Sequence, residues 1–546
     1  MGESAIEVRL RGWAPAICRS FAYFSGLALG GSLVSHALRH SSSLLGLFED
    51  DFFYYVVIAD HLVTLGKLTF DGVTPTNGFH PLWFAVITLL RVLTGGFGTA
   101  FFVLFGISCA ALIAAAYEAL RLLAERIGAP RPYAAALALL QVSLVMWLVA
   151  SGMEVAIAIP IFAWLLAEVA RDAPLGPGRA AKLGGLASLA VLARVDLLLA
   201  VGVLVCAWLA FVRPWPTRPL RSALAFAAGC LPLLGYFGAN LLFFGDFLPT
   251  SGRAKQLGSG LRSGARFITH FESIVSPSGL LVLLLGSVGL VLLVRRRATP
   301  PSAPARVAAG AGLAFPLLFG ALNAARSDWY VFIWYGYPMV TGLLSACALL
   351  VVWAEPLLAK RTVARLLGAV LAFAVLLVPM KSALYFARRG IAWTDADNTL
   401  LPMARTVAHA LQGHPGRVAM GDKAGITTFL LQRPIVQLEG LVEGQAMLTH
   451  IQRGDSLNTV LDEYGADYLV VSTAVHSPQK SGQCYEVTAP NPDQAGSSPE
   501  MHGKLCAEPL LHFKTPSGPH AWWTFAALDT FVFDLRKERA LKAQVN

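Results

Sequence analysis

Charge is scarce in this chain. Asp, Glu, Lys and Arg make up 14% of 546 residues, against about 25% in an ordinary soluble domain. That shortage excludes a soluble enzyme and a disordered protein, because so few charges cannot solvate either. Cysteine is sparse as well, with seven in all, which excludes a disulfide-rich scaffold. Cys18, Cys109, Cys206, Cys230 and Cys347 lie in apolar runs, where cysteine behaves as a small hydrophobe. Cys484 and Cys506 share a polar C-terminal region and either form one disulfide or stay free. No internal repeat is evident. Apolar residues, by contrast, make up 55% and mean hydropathy is +0.59, so most of the surface must face lipid. The net charge of +10 then marks cytoplasmic loops and not a nucleic-acid partner.

A membrane-crossing helix needs about 20 mostly apolar residues. The first run, Pro15 to Leu38, is too long for a cleaved leader and reads as a retained anchor. Arg9, Arg11 and Arg19 accompany it, and Glu49-Asp50-Asp51 follow, which places the N-terminus in the cytoplasm and the first loop, 39–80, outside. Further apolar runs lie near 100–120, 133–150, 154–170, 183–212, 222–244, 278–294, 305–324, 333–353 and 363–381. Five basic clusters separate alternate pairs: Arg121/Arg126/Arg131, Arg171/Arg179/Lys182, Arg213/Arg218/Arg221, Arg295-Arg296-Arg297 and Lys360/Arg361/Arg365. Keeping all five inside makes 81–95 interfacial or re-entrant. It also splits 183–212 into two short helices that meet at Arg194-Val195-Asp196 on the outer side, the first of about 12 residues and about 18 Å. The alternative has 81–95 spanning and 183–212 unbroken. The preferred reading is an α-helical polytopic membrane protein with about eleven transmembrane helices over 1–386.

From 387 the composition turns polar. Short β-like runs at Arg417–Met420, Pro434–Leu438 and Asp467–Val471 alternate with helical stretches at 398–412 and 456–464. That pattern predicts a small α/β extracytoplasmic domain over 387–546, with 475–505 an irregular insertion.

Chemistry concentrates behind the first helix, in Glu49-Asp50-Asp51-Phe52-Phe53-Tyr54-Tyr55 and Thr76-Asn77-Gly78-Phe79-His80-Pro81-Leu82-Trp83. A carboxylate held beside an aromatic, lipid-friendly surface can act as a general base; three acids alone would rather cap a loop, and it is the Thr76–Trp83 string that shifts the balance. Pro81 opens a helix after the Asn77-Gly78 turn, which sets His80 at a helix entrance, a place for a phosphate. Polar residues recur at later outer ends: Glu154, Arg194, Asp196, Arg253, Lys255, Asp328 and Tyr335. Ionisable groups in a membrane are costly and are functional candidates by default, although Arg194 with Asp196 also reads as a local ion pair and Glu154 as an acid paired with an arginine. Arg253 and Lys255 break the positive-inside pattern, and outer cations suit an anion such as a lipid phosphate. These residues gather on one side of the membrane and suggest group transfer from a lipid-linked phosphate donor. A transporter or flippase is the rival reading, as is a binding scaffold without chemistry; transporters commonly show repeats or paired broken helices.

At these residues the chain resembles the GT-C superfamily of polytopic glycosyltransferases, in particular the branch of protein O-mannosyltransferases and lipid A aminoarabinose transferases. His80-Pro81-Leu82 is similar to the family's His-Pro-Pro-Leu element with one proline missing, and Gly152-Met153-Glu154 and Ala193-Arg194-Val195-Asp196 resemble elements of bacterial members. In the family an acid at the start of the first outer loop is followed four positions on by tyrosine. Asp51 with Tyr55 fits, and so does Asp50 with Tyr54. The resemblance implies inverting transfer of a sugar from a polyprenyl-phosphate donor to a lipid, polysaccharide or protein acceptor, with Asp51, or else Asp50, as catalytic base. Arg253, Lys255, Arg194 and His80 would hold the donor phosphate. Tyr54, Tyr55, Asn77, Trp83, Glu154, Asp196, Asp328 and Tyr335 would contact substrate. The sequence has no dedicated metal-ligand cluster, while some relatives use a divalent cation, so Mg or Mn stays open.

Overall fold

The computed structural model describes residues 5–39, 42–213, 218–258, 301–327, 329–358, 380–388, 400–491, 493, 498–519, 524–525 and 527–545. The runs expected near 278–294 and 363–381, the clusters Arg295-Arg296-Arg297 and Lys360/Arg361/Arg365, and Asp328 lie wholly or largely outside them. So do 389–399, which adjoin the domain boundary expected near 387.

Helix α1 (Ala5–Leu38) crosses α4 (Thr99–Ile127) through small residues. A Cβ on Gly30 would lie 2.4 Å from the carbonyl oxygen of Gly106, so the two backbones touch, the usual device for packing helices where lipid offers no hydrophobic drive. Helices α5 (Arg131–Ala150) and α6 (Val155–Val169) pack against α4. The chain does break at Arg194–Asp196, between α7 (Pro177–Ala193) and α8 (Leu197–Phe211). The first half-helix is longer than expected, 17 residues, because Pro177 starts it well before the apolar run.

The run 222–244 is not one rod. It forms α9 (Pro219–Gly229) and α10 (Leu231–Phe244), bent by 55° around Cys230; Pro232 withholds a backbone donor there. Leu242 and Phe243 on α10 are about four-fifths exposed, a face that only lipid suits. After the short α11 (Thr250–Ala254) come α12 (Ala303–Arg326) and α13 (Pro338–Leu358). Among the described residues five helices are long and apolar enough to cross a membrane, or six with the bent pair counted as one span.

The first outer loop is not a loose loop. It holds α2 (Asp50–Leu65), which ends at Gly66 in the left-handed conformation, and it runs into α3 (Pro81–Thr94). The residues from Phe52 to Ala59 are buried. Phe52 stacks on Phe48 at 4.6 Å and meets Phe105 of α4 at 5.3 Å. This helix is therefore wedged between the spans and the C-terminal domain.

In that domain β1 (Val418–Met420), β2 (Ile435–Gln437) and β3 (Tyr468–Thr473) run parallel. Helices α14 (Leu400–Leu411), α15 (Ala424–Leu431), α16 (Gln445–Arg453) and α17 (Leu457–Glu463) accompany them. The insertion is not irregular: β4 (Gln479–Ser481), β5 (Cys484–Ala489) and β6 (Met501–Leu505) form an antiparallel sheet, and Cys484 is disulfide-bonded to Cys506. Its strands bury few side chains, Val487 and Ala489 on β5 and Met501 and Leu505 on β6, so the alternation in sequence is faint. Next come β7 (Leu511–Lys514), the two-residue pair β8 (Gly518–Pro519) and β9 (Thr524–Phe525), and β10 (Asp529–Asp534). The main sheet has the order β2-β1-β3-β10-β7, with β10 antiparallel to both neighbours. Helix α18 (Leu535–Val545) follows.

Candidate active site

A cavity of about 1030 Å³ opens where α2, α8, α12 and the C-terminal domain meet. Asp51, Tyr54, Tyr55, His80, Glu154, Arg194, Asp196, Lys255 and Tyr335 all line it. Neighbouring residues on a helix point about 100° apart, and this separates the two candidate bases. Asp51 faces the cavity and is half-buried. Asp50 is buried and faces the C-terminal domain, where Oδ1 accepts from the Ile426 N–H at 2.8 Å and Oδ2 from the Gly425 N–H at 3.1 Å. Those are donors of the first turn of α15, so Asp50 caps a helix of the other domain.

Burial pushes the Asp51 carboxyl up to about 7. The Lys255 ammonium opposes that rise, while Asp50, Glu154 and Asp422 add to it. Burial also lifts Asp50, to about 6, against the pull of the Ile426 N–H and the Lys423 ammonium. Lys255 follows α11, and its Nζ donates to the Tyr335 hydroxyl at 2.8 Å.

Arg194 stands in the break between α7 and α8 and is buried. Its guanidinium donates to Glu154 Oε1 at 2.6 Å and to both oxygens of Asp196, the shortest contact being 2.7 Å. The Tyr55 hydroxyl donates to Glu154 Oε2 at 3.0 Å, and the Tyr337 hydroxyl to Asp196 Oδ1 at 2.8 Å. His80 Nδ1 accepts from the Val195 N–H at 3.4 Å, and its Nε2 lies 3.7 Å from Glu154 Oε1. The fork of Arg194 is thus committed to two carboxylates, and this cluster closes the helix break electrostatically.

Three residues singled out in sequence sit elsewhere. Arg253 does not line the cavity; it is half-exposed and pairs with Asp246 at 2.6 Å. Trp83 is buried, and its Nε1–H donates to the Gly152 carbonyl at 3.0 Å. Asn77 is buried and accepts from the Thr250 N–H at 3.0 Å, which pins the segment that carries Lys255. One cation at an outer helix end was given no role from the sequence. Arg326, at the end of α12, lines the cavity, is exposed, and has no ion pair among the described residues. Its signal was the same as that of Lys255, a basic residue at an outer helix end. Among the described residues no group of three or more His, Cys, Asp or Glu side chains could hold a metal ion. Asp50, Glu154 and Asp196 already accept from N–H donors.

From its polar end the cavity continues as an apolar arm along α8, over Leu199, Val203, Cys206 and Ala210. Their spacing of four, three and four keeps them on one helix face. The stretch from Leu198 to Phe211 covers about 20 Å, much of a hydrocarbon core of about 30 Å. Leu441 and Val442 of the C-terminal domain roof the polar end. A Cβ on Gly78 would fall 2.0 Å from the Leu441 carbonyl oxygen, so only glycine admits this contact.

No protein-family model matches the sequence, and no characterised protein matches it in sequence. In structure the chain is similar to ArnT from Cupriavidus metallidurans bound to undecaprenyl phosphate, with a TM-score of 0.50 and 15% identity over 82% of this chain and 92% of that one. The Archaeoglobus fulgidus oligosaccharyltransferase in the apo form aligns with a TM-score of 0.48 at 11% identity, over 86% of this chain and 70% of that one. Arabinofuranosyltransferase AftD from Mycobacteria aligns with a TM-score of 0.45 at 18% identity, over 96% of this chain and 40% of that one. The likeness to ArnT is one of fold: the chain shares its polytopic helical architecture, with a mixed α/β region at the C-terminal side.

Proposed function

We propose that this protein is a membrane glycosyltransferase that moves a sugar from a polyprenyl-phosphate donor to an acceptor outside the cytoplasm, with inversion at the anomeric carbon. One observation carries the reading: a single cavity joins Asp51 and Lys255 to an apolar arm about 20 Å long. An amphiphile with an anionic head and a long hydrocarbon tail suits that shape, and ArnT was solved with undecaprenyl phosphate, a molecule of this class. The tail lies along α8. The head meets Lys255 and Arg326, while Arg194, already committed to Glu154 and Asp196, shapes the sugar's side of the cavity.

In the reaction, Asp51 takes the proton of an acceptor hydroxyl or amine. The freed electron pair attacks the anomeric carbon on the face opposite the phosphate. The bond from that carbon to the phosphate oxygen breaks, and its electrons leave on the phosphate, whose new charge Lys255 and Arg326 stabilise. Polyprenyl phosphate departs and Asp51 returns its proton to water. A base whose pKa lies close to the working pH is efficient in this role. The disulfide Cys484–Cys506 supports an oxidising compartment for the C-terminal domain, with the N-terminus on the cytoplasmic side. The acceptor is a glycan, lipid or protein.

Purified protein in detergent, given a polyprenyl-phosphate sugar, is expected to release polyprenyl phosphate, slowly without acceptor and faster with one. Asp51→Asn is expected to stop the release while the fold persists. Transport of the intact donor in vesicles with no cleavage would refute the reading and favour a flippase.

A further inference from the structure

Asp50 and Asp51 are neighbours in sequence, yet they serve different domains. We propose that the C-terminal domain is a fitted half of the catalytic centre, and that Asp50 is the positioning residue through which it fixes the direction of Asp51. This rests on the reading of Asp51 as base.

Four contacts converge on it. Both oxygens of Asp50 are taken by the Gly425 and Ile426 N–H groups at the start of α15. Gly425 lies so close that a Cβ there would come within 2.3 Å of the Asp50 carbonyl oxygen. One turn further along α2, Phe53 packs on Phe429 of α15 at 5.3 Å between ring centres. On the far side of the same loop, buried Asp71 binds Arg417 just ahead of β1. The domain so held places Leu441 and Val442 over the cavity, and the Thr250 hydroxyl donates to the Leu441 carbonyl at 3.3 Å.

The consequence follows from helix geometry. A carboxylate stands about 5 Å from its helix axis, so a rotation of α2 by about 20° moves it by about 1.7 Å. A misplacement of about 1 Å can cost about 10²-fold in rate. The body of α2 is held by its buried run Phe52–Ala59, while its first turn, which carries Asp51, is held from the C-terminal domain by Asp50. A capped Asp50 therefore locks the azimuth of Asp51, and the lock is supplied by the other domain.

The test uses the full-length protein and rates per molecule able to bind polyprenyl phosphate, so that misfolded protein does not count. Asp50→Ala is expected to lower kcat by about 10²-fold while the donor KM stays within about threefold. Asp50→Asn, which keeps a carbonyl acceptor for one N–H, should recover part of the loss. Gly425→Ala, which opens the same contact from the opposite side, should also lower kcat, and it is the variant to read where Asp50→Ala does not fold. The double variant should lose no more than the worse single one, because both changes break one contact. Wild-type kcat in Asp50→Ala or Gly425→Ala, additive losses, or a loss carried by the donor KM would overturn the inference. Asp51→Asn keeps the two questions apart. If it is inactive while Asp50→Ala is fully active, only the positioning role falls; if it is active, the reading of the base falls.

Discussion

The ionisation of Asp51 gives the sharpest expectation. Its carboxyl sits at about 7 because burial raises it more than Lys255 lowers it, with Asp50, Glu154 and Asp422 adding to the rise. A base works only when it has lost its proton, so transfer should fail towards acid pH. With a midpoint near 7, about one tenth of molecules carry the ionised form at pH 6 and about nine tenths at pH 8. The rate with saturating donor should therefore rise about tenfold between those values, with unit slope on the acid limb. A phosphodiester donor does not titrate in that range, so the limb reports on the protein. Asp51→Asn should lose about 10²–10⁴ in rate, and its residual activity should show no such limb. Lys255→Met removes the opposing charge and should move the limb to higher pH. The assay is release of radiolabelled polyprenyl phosphate at constant ionic strength. A flat wild-type profile from pH 5.5 to 8.5, or an unchanged limb in Asp51→Asn, would refute the reasoning.

Other expectations follow from the same contacts. Gly78→Ala forces a Cβ against the Leu441 carbonyl; it should cut transfer strongly while polyprenyl-phosphate binding, read by tryptophan fluorescence, changes little. Arg194→Lys cannot serve Glu154 and Asp196 together, and the under-satisfied carboxylates should cost about 1–3 kcal/mol, seen as a lower Tm in detergent. Glu49 is held up at about 8, mainly by burial and next by Asp51. Because the folded state keeps that proton longer than the unfolded one, stability present at low pH is lost as pH rises from the ordinary carboxyl range through 8. Glu49→Gln should flatten the fall in Tm between pH 5 and pH 9.

Much of this architecture was legible in the sequence, for reasons that differ from element to element. The spans show themselves by length and apolar composition. The break at Arg194–Asp196 shows itself because two charges cannot sit unpaired inside a continuous membrane helix. The bend at Cys230 was missed, although Pro232 marked it, since the apolar run continues across it. The sheet β4-β5-β6 was missed because it is largely solvated, and its strands leave little alternation to read. At the site, burial and charge singled out Glu49–Asp51 and preferred Asp51 to Asp50, but did not show which way each side chain turns. Which way Asp50 turns depends on the N–H groups of Gly425 and Ile426, some 375 positions later in the chain, and no local pattern encodes such a partner. Arg253 and Arg326 look alike in sequence; a single nearby aspartate, Asp246, takes the first and leaves the second at the cavity.

The position of β10 sets a timetable for synthesis. It lies between β3 and β7 in the main sheet, yet the ribosome makes it after both. Until Asp529–Asp534 is inserted there, the sheet that supports Leu441 and Val442 is split in two. A chain made only as far as β7 therefore holds β2-β1-β3 and β7 as separate pieces, and the sheet closes only once β10 is added between them.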